Sequence, residues 1–132
     1  MRRHLDRSAV LLLGVLTIFA CARSPEAFGT LEGHVTIGPL LPVVREGESE
    51  PRPAPDVYEA REIVVFEEDG KSEYIRVEID ANGNYRADLP VGIYVVDINR
   101  IGIDSAADLP KKIEIIAQAV TRLDIDIDTG IR

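Results

Sequence analysis

A chain of 132 residues that is 45% apolar and carries a net charge of −8 has enough material for one core and is too acidic to seek the phosphates of nucleic acid. Its single cysteine excludes an internal disulfide, and its two histidines offer little for a metal centre or an acid–base dyad.

The first element is a leader. Arg2, Arg3 and Arg7 precede an apolar run over residues 9–19, and small residues follow, which is the layout of an export signal spanning 1–20. The run is shorter than the roughly 20 residues of a membrane-crossing helix, so export is expected in place of a retained span. Cys21 stands directly after Ile18-Phe19-Ala20. This resembles the lipobox of bacterial lipoproteins, with Phe19 where a small or β-branched residue is usual. The resemblance implies that Cys21 is lipidated and becomes the first mature residue. Ala20-Cys21-Ala22 also reads as an ordinary small-x-small cleavage site.

Residues 1–20 hold three of the 15 Lys and Arg and one of the 23 Asp and Glu, so the remainder has 12 against 22, a net charge of −10. Such a body is repelled by anionic headgroups and needs a covalent anchor to stay at a membrane. Each buried acyl methylene contributes about 0.8 kcal/mol, so several chains make the attachment effectively permanent. The expected location is the cell membrane or outer membrane, lipid-anchored and facing periplasm or exterior. In a Gram-negative host, Ala22 after the lipidated cysteine favours the outer membrane. The expected partners are the membrane through that lipid and an envelope protein or glycan, with no nucleic acid.

Residues 21–28 form the lipidated cysteine and a tether that, at about 3.5 Å per residue, reaches no more than about 25 Å. The domain proper is expected over 29–132. Residues 30–37 read as the first strand, with Leu31, Gly33, Val35 and Ile37 on one face and Glu32, His34 and Thr36 on the other. His34 on the polar face reads as a surface residue, since one histidine makes no metal site. From 38 to 60 the alternation dissolves into Pro39, Pro42, Pro51, Pro53 and Pro55 among carboxylates, a long surface loop with a stiff stretch at 51–55. A loop of this length is either a contact surface or an acidic connection. As a contact surface for carbohydrate or peptide it offers Pro39, Pro42, Arg45 and Tyr58, and Val43, Val44 and Arg45 suggest a short local strand.

Residues 61–66 form the next strand. Ile63, Val64, Val65 and Phe66 are contiguous, so alternation does not choose the buried pair, and the run is expected to be covered on both sides. A turn at Glu68-Asp69-Gly70-Lys71 leads into 72–79. There Ile75, Val77 and Ile79 alternate, as do Tyr85, Ala87 and Leu89 after Asp80-Ala-Asn-Gly-Asn. The parity of the two apolar sets predicts an antiparallel hairpin with a three-residue loop, Gly83 left-handed and Asp80 opposite Asn84. Its register sets Ile79 by Tyr85, Val77 by Ala87 and Ile75 by Leu89 inside, with Glu78 facing Arg86 and Arg76 facing Asp88 outside.

Leu89-Pro90-Val91-Gly92 turns the chain into a strand with Tyr94, Val96 and Ile98 on one face. Tyr94 just beyond a turn suits a tyrosine corner, its hydroxyl bonded to upstream backbone, or a core tyrosine bonded to water. Residues 99–110 carry the chain across the domain, Ile113 and Ile115 mark a further strand, and 123–128 closes with Leu123, Ile125 and Ile127 inside. Seven strands are expected in all.

Asp124, Asp126 and Asp128 project from the outer face of that last strand. Alternate positions lie roughly 6.7 Å apart, too far for one calcium ion to bridge all three without loop ligands, and a row of like charges also discourages unwanted strand pairing. Both readings remain open. Asp80-x-Asn82-Gly83 lacks the glycine spacing and final glutamate of a calcium loop. No phosphate loop, nucleophile elbow, zinc motif or cysteine nucleophile appears after the leader, so no catalytic residue, metal or cofactor is expected.

Asp80-x-Asn82-Gly83-x-Tyr85 followed by Leu89-Pro90-x-Gly92-x-Tyr94 resembles the signature of carboxypeptidase regulatory-like domains. The opening Gly29-Thr-Leu-Glu-Gly-His-Val and the closing Asp128-Thr-Gly-Ile-Arg are similar to small bacterial members of that group. The resemblance implies an all-β, seven-stranded Greek-key sandwich of transthyretin (prealbumin) type. It also implies a noncatalytic, accessory or binding module on an exported protein. Enzymes on related folds hold iron with paired tyrosines and histidines, or hydrolyse with histidines and arginine, and His34 alone supplies neither set. The expectation is therefore a membrane-anchored envelope lipoprotein acting as a structural or protein-interaction module, with a sugar- or peptide-binding module and a calcium-dependent module as the alternatives.

Overall fold

The computed structural model describes residues 26–132, so the expected leader and Cys21 lie outside the described residues. Eight strands, β1 (Phe28–Gly38), β2 (Glu62–Glu67), β3 (Glu73–Glu78), β4 (Asn84–Pro90), β5 (Gly92–Ile98), β6 (Lys111–Ile115), β7 (Val120–Arg122) and β8 (Ile125–Asp128), form two sheets. The first sheet has β1 at its centre, antiparallel to β4 and parallel to both β7 and β8. The second runs β3-β2-β5-β6, all antiparallel. The apolar faces meet in one core that includes Leu31, Val35, Ile63, Val65, Leu89, Val96 and Ile115. The expected all-β sandwich is the observed architecture.

Against the seven strands expected, eight form: β7 precedes the run expected at 123–128, whose first two residues lie in the break between β7 and β8. Thr30 pairs with Val120 and Val35 with Ile125, so β7 and β8 lie end to end along β1 in one continuous register. The ladder changes hands at the break. The Leu123 N–H donates to the Glu32 carbonyl at 2.9 Å, and the His34 N–H goes to the Asp124 carboxylate at 2.9 Å in place of a backbone oxygen. The Leu123 carbonyl instead accepts the Tyr85 hydroxyl, which crosses from β4. Space for this comes from Gly33, where a Cβ would sit 1.9 Å from the Leu123 oxygen and 2.9 Å from the Tyr85 ring.

The hairpin predicted over 72–89 is half correct. Its turn forms as expected: Gly83 has φ 84°, the Asp80 N–H donates to the Asn84 carbonyl at 2.9 Å, and the Asp80 carboxylate accepts the Asn82 and Asn84 N–H groups. Beyond that rung the strands part. β3 pairs with β2, setting Val77 opposite Ile63, while β4 crosses to the other sheet and sets Ala87 opposite Leu31. Parity requires both apolar sets to face one core, and facing each other across the sandwich satisfies it as fully as lying side by side. The predicted outer pairs are accordingly absent. Arg86 meets Glu32 at 3.5 Å on β1, Arg76 meets Glu73 at 2.6 Å, and Asp88 accepts the Thr30 hydroxyl. Ile75, expected inside, is 39% exposed on the edge strand β3.

In β2, Ile63, Val64 and Val65 are all buried, as expected of a run covered on both faces. The loop after β1 holds no strand at 43–45, and Val43 is 78% exposed. It ends in a short helix, α1 (Pro55–Glu59), which sequence reading missed, with Pro55 in its first turn where a missing N–H costs nothing. Arg61 then reaches into 100–105 and binds Asp104 through Nε at 2.8 Å and Nη2 at 3.2 Å, with Nη1 on the Val57 carbonyl. Asp104 is buried and Arg61 partly so, and the pair locks three segments together.

Tyr94 donates its hydroxyl to the Pro90 carbonyl at 2.7 Å, the corner geometry expected at that turn. Tyr85→Phe leaves a buried carbonyl without its donor, whereas the Tyr94 bond lies nearer the surface. Tyr85→Phe should therefore cost about 2 kcal/mol and Tyr94→Phe about 1 kcal/mol in urea denaturation, and equal midpoints for the two variants would contradict this ranking.

Candidate interaction surface

The two sheets are tied at both ends of one side and part between the ties. At one end the Thr121 hydroxyl on β7 donates to the Glu114 carbonyl on β6 at 3.0 Å. At the other, Ser105 and Asp128 exchange backbone bonds of 2.9 and 2.7 Å. Past Ser105 the chain leaves β8 to reach β6, and Pro110 has no N–H with which to pair. Between β8 and residues 106–111 lies a groove of about 430 Å³. Ala106, Leu109 and Ile125 are among its apolar lining, Asp108 and Asp126 among its acids, and Lys111 is on its wall.

Alternation along β8 decides what the groove presents. Asp128 directs its N–H and C=O away from β1 to Ser105, so Asp126, two residues earlier, directs its own backbone groups the same way. Among the described residues none pairs with Asp126 on that side, which leaves β8 an open sheet edge there. The carboxylates on it differ in their company. Asp124 accepts the His34 N–H and pairs with Arg122 at 3.0 Å, and Asp128 accepts the Gly130 N–H and pairs with Arg132 at 2.8 Å. The His34 N–H first, then Arg122, hold the Asp124 carboxyl below the ordinary carboxylate value, while Arg132 and the Gly130 N–H do the same for Asp128. Asp108 and Asp126 have no cationic side chain within 4.0 Å among the described residues.

The residues proposed from sequence do not assemble into one site. Pro39 borders the groove, and its carbonyl accepts the Thr129 hydroxyl. Pro42 and Arg45 are exposed in the loop after β1. Tyr58 is withdrawn into the core at 6% exposure, its ring edge against Gly83, and it borders a separate concavity of about 310 Å³ with His34, Arg52 and Asn82. His34 itself is bonded through Nδ1 to the Asn84 side chain at 2.9 Å. Among the described residues no group of three or more His, Cys, Asp or Glu side chains is placed to hold a metal ion. Sequence reading missed the wall at 106–111. Pro110 beside the strand at 111–115 was its available sign, because a proline there stops the preceding segment from pairing.

Burial pushes the Tyr85 phenol well above the ordinary tyrosine value, so it remains a donor at physiological pH. Asp69 lies at the opposite extreme in the β2–β3 turn. The Ser72 hydroxyl, with the Ser72 and Lys71 N–H groups, lowers its carboxyl to about 2. For Asp69 and Asp124 the lowered folded value gives stabilisation that is complete above the ordinary 3.8 and disappears as pH falls through the folded value. Asp124→Asn should flatten the decline of the urea midpoint as pH falls below the ordinary carboxylate value of 3.8, and a decline as steep as that of the parent would show that Asp124 does not contribute.

No protein-family model and no curated protein matches the sequence. Solved structures match the fold. The minor pilin GBS52 of Streptococcus agalactiae superposes with a TM-score of 0.53 at 13% identity, over 78% of this chain and 45% of the pilin. The Bacillus anthracis TIE protein gives 0.50 at 17% identity, over 77% of this chain and 16% of its own length. A DUF3823 family protein from Parabacteroides merdae gives 0.47 at 16% identity, over 77% and 46%. The chain thus spans less than half the length of each of these proteins, and the likeness to the first two is one of fold.

Proposed function

We propose that this chain is a noncatalytic envelope lipoprotein, anchored through Cys21, whose β-sandwich of carboxypeptidase regulatory-like type serves as a protein-interaction module. The observation that carries the interaction reading is the open edge of β8 beside a groove, a backbone surface with hydrogen-bonding capacity to spare. The noncatalytic reading is supported by where the polar side chains are used. Tyr85 and Tyr94 donate to main-chain carbonyls, Asp104 is held by Arg61, and His34 is bonded to Asn84. Each such group serves the fold. Anchoring is supported by the leader pattern and by Cys21 at its end.

Fractionation with metabolic lipid labelling tests the anchor. In cells fed an alkyne fatty acid, the parent chain should carry label and sediment with membranes, while Cys21→Ser should lose the label and no longer fractionate as a lipoprotein. Label retained on the Cys21→Ser chain would refute attachment at this residue.

A further inference from the structure

We propose that the edge of β8 takes up an extended, basic peptide segment as an added strand of the first sheet. The inference deepens the protein-interaction reading and rests on it, but is independent of the lipid anchor.

The backbone geometry selects an extended occupant. Asp126 directs one N–H and one C=O into the groove, the pattern that an incoming strand reads at a spacing of about 4.8 Å. The Ser105–Asp128 bridge already fills the next position on the same edge with main chain, showing that this side of β8 accepts a strand-like partner. The Ser105 bridge closes one end, and the Thr121–Glu114 bond ties the sheets at the other. Between them the open part of β8 is 125–127, with Asp126 its outward-directed residue, which at roughly 3.3 Å per residue gives room for about three extended residues to pair.

The side chains select charge and pattern. Along an added strand, alternate residues face opposite sides of the sheet. One set points toward the apolar side of the groove at Ala106 and Leu109, which suits small aliphatic groups. The other stands beside Asp124, Asp126 and Asp128, which suits lysine or arginine. Asp108 adds a further carboxylate, and neither it nor Asp126 has a cation of its own among the described residues. The same row opposes a second copy of this chain, since pairing β8 with β8 would bring like charges face to face. The partner is therefore a cationic segment of another protein with alternating basic and small apolar residues.

The test is a titration of the purified full chain, in mild detergent, against a fluorescent heptapeptide alternating arginine and valine, read by anisotropy. Two control peptides carry glutamate for arginine, or N-methyl groups on alternate amides. Saturable binding should be at least about tenfold tighter than for the glutamate peptide, and should weaken as salt is raised to about 0.5 M. N-methylation, which removes backbone donors without changing charge, should weaken it by about tenfold or more. Asp126→Asn should weaken it about threefold, and Asp126→Pro, which deletes the outward N–H on an edge strand, should abolish it. Amide shifts confined to 105–111 and 123–128 should accompany binding. Since Asp126→Pro risks unfolding the edge, the N-methylated peptide and Asp126→Asn carry the test without it. Equal binding of the N-methylated or glutamate peptide, or shifts centred elsewhere, would overturn the proposal. A captured envelope protein whose binding survives both Asp126 variants would also overturn it while leaving the broader interaction reading intact.

Discussion

Three groups meet where β1 passes Leu123: the bare α-carbon of Gly33, the Tyr85 hydroxyl and the Leu123 carbonyl. Backbone can approach backbone this closely only where one side has no Cβ, and a carbonyl turned out of its ladder is tolerable in a core only with a donor of its own. The tyrosine supplies that donor from β4, across the sheet. The final run of the chain can therefore break between β7 and β8 without stranding a polar group, and keeps one register with β1 on both sides of the break. The position of β8, and with it the groove, follows from this contact.

The two sheets close unequally. On the side of β3 and β4, the Asp80–Asn84 turn carries the chain directly from one sheet to the other. On the side of β8 and β6, the chain crosses from β6 to β7 through the 116–119 turn, reinforced by the Thr121–Glu114 bond, but at the other end only the two-bond Ser105–Asp128 bridge holds the crossing segment, and the span between is lined on both walls. The part-buried Arg61–Asp104 pair holds the start of the crossing segment in place and so fixes where the gap begins.

Strand positions and buried faces were legible from alternation because a strand half in water must alternate: Leu31, Val35 and Ile37 on β1 and Leu123, Ile125 and Ile127 at the end are buried as read. Turn chemistry was legible too, in Gly83 and in Tyr94 beyond Pro90. Pairing was not. The charges on Arg76 and Arg86 are satisfied by Glu73 and Glu32, and a list of opposite charges does not say which strand supplies the partner. Tyr58 was read as a loop aromatic because nothing local shows that α1 carries it under the sandwich. The groove was illegible for the same reason, since its walls, at 106–111 and 123–128, come together only through the Ser105–Asp128 bridge.

The pairing of β1 with β7 and β8 joins residues 90 apart, Thr30 with Val120 and Val35 with Ile125. Closing so large a loop demands entropy before any contact rewards it, which places this topology among slow folders. On a ribosome β1 emerges well before its parallel partners β7 and β8. Until β7 and β8 are available, the central strand of the first sheet has one flank bare, and β4 alone shields it. Throughout that interval the nascent strand is open to mispairing along its bare flank.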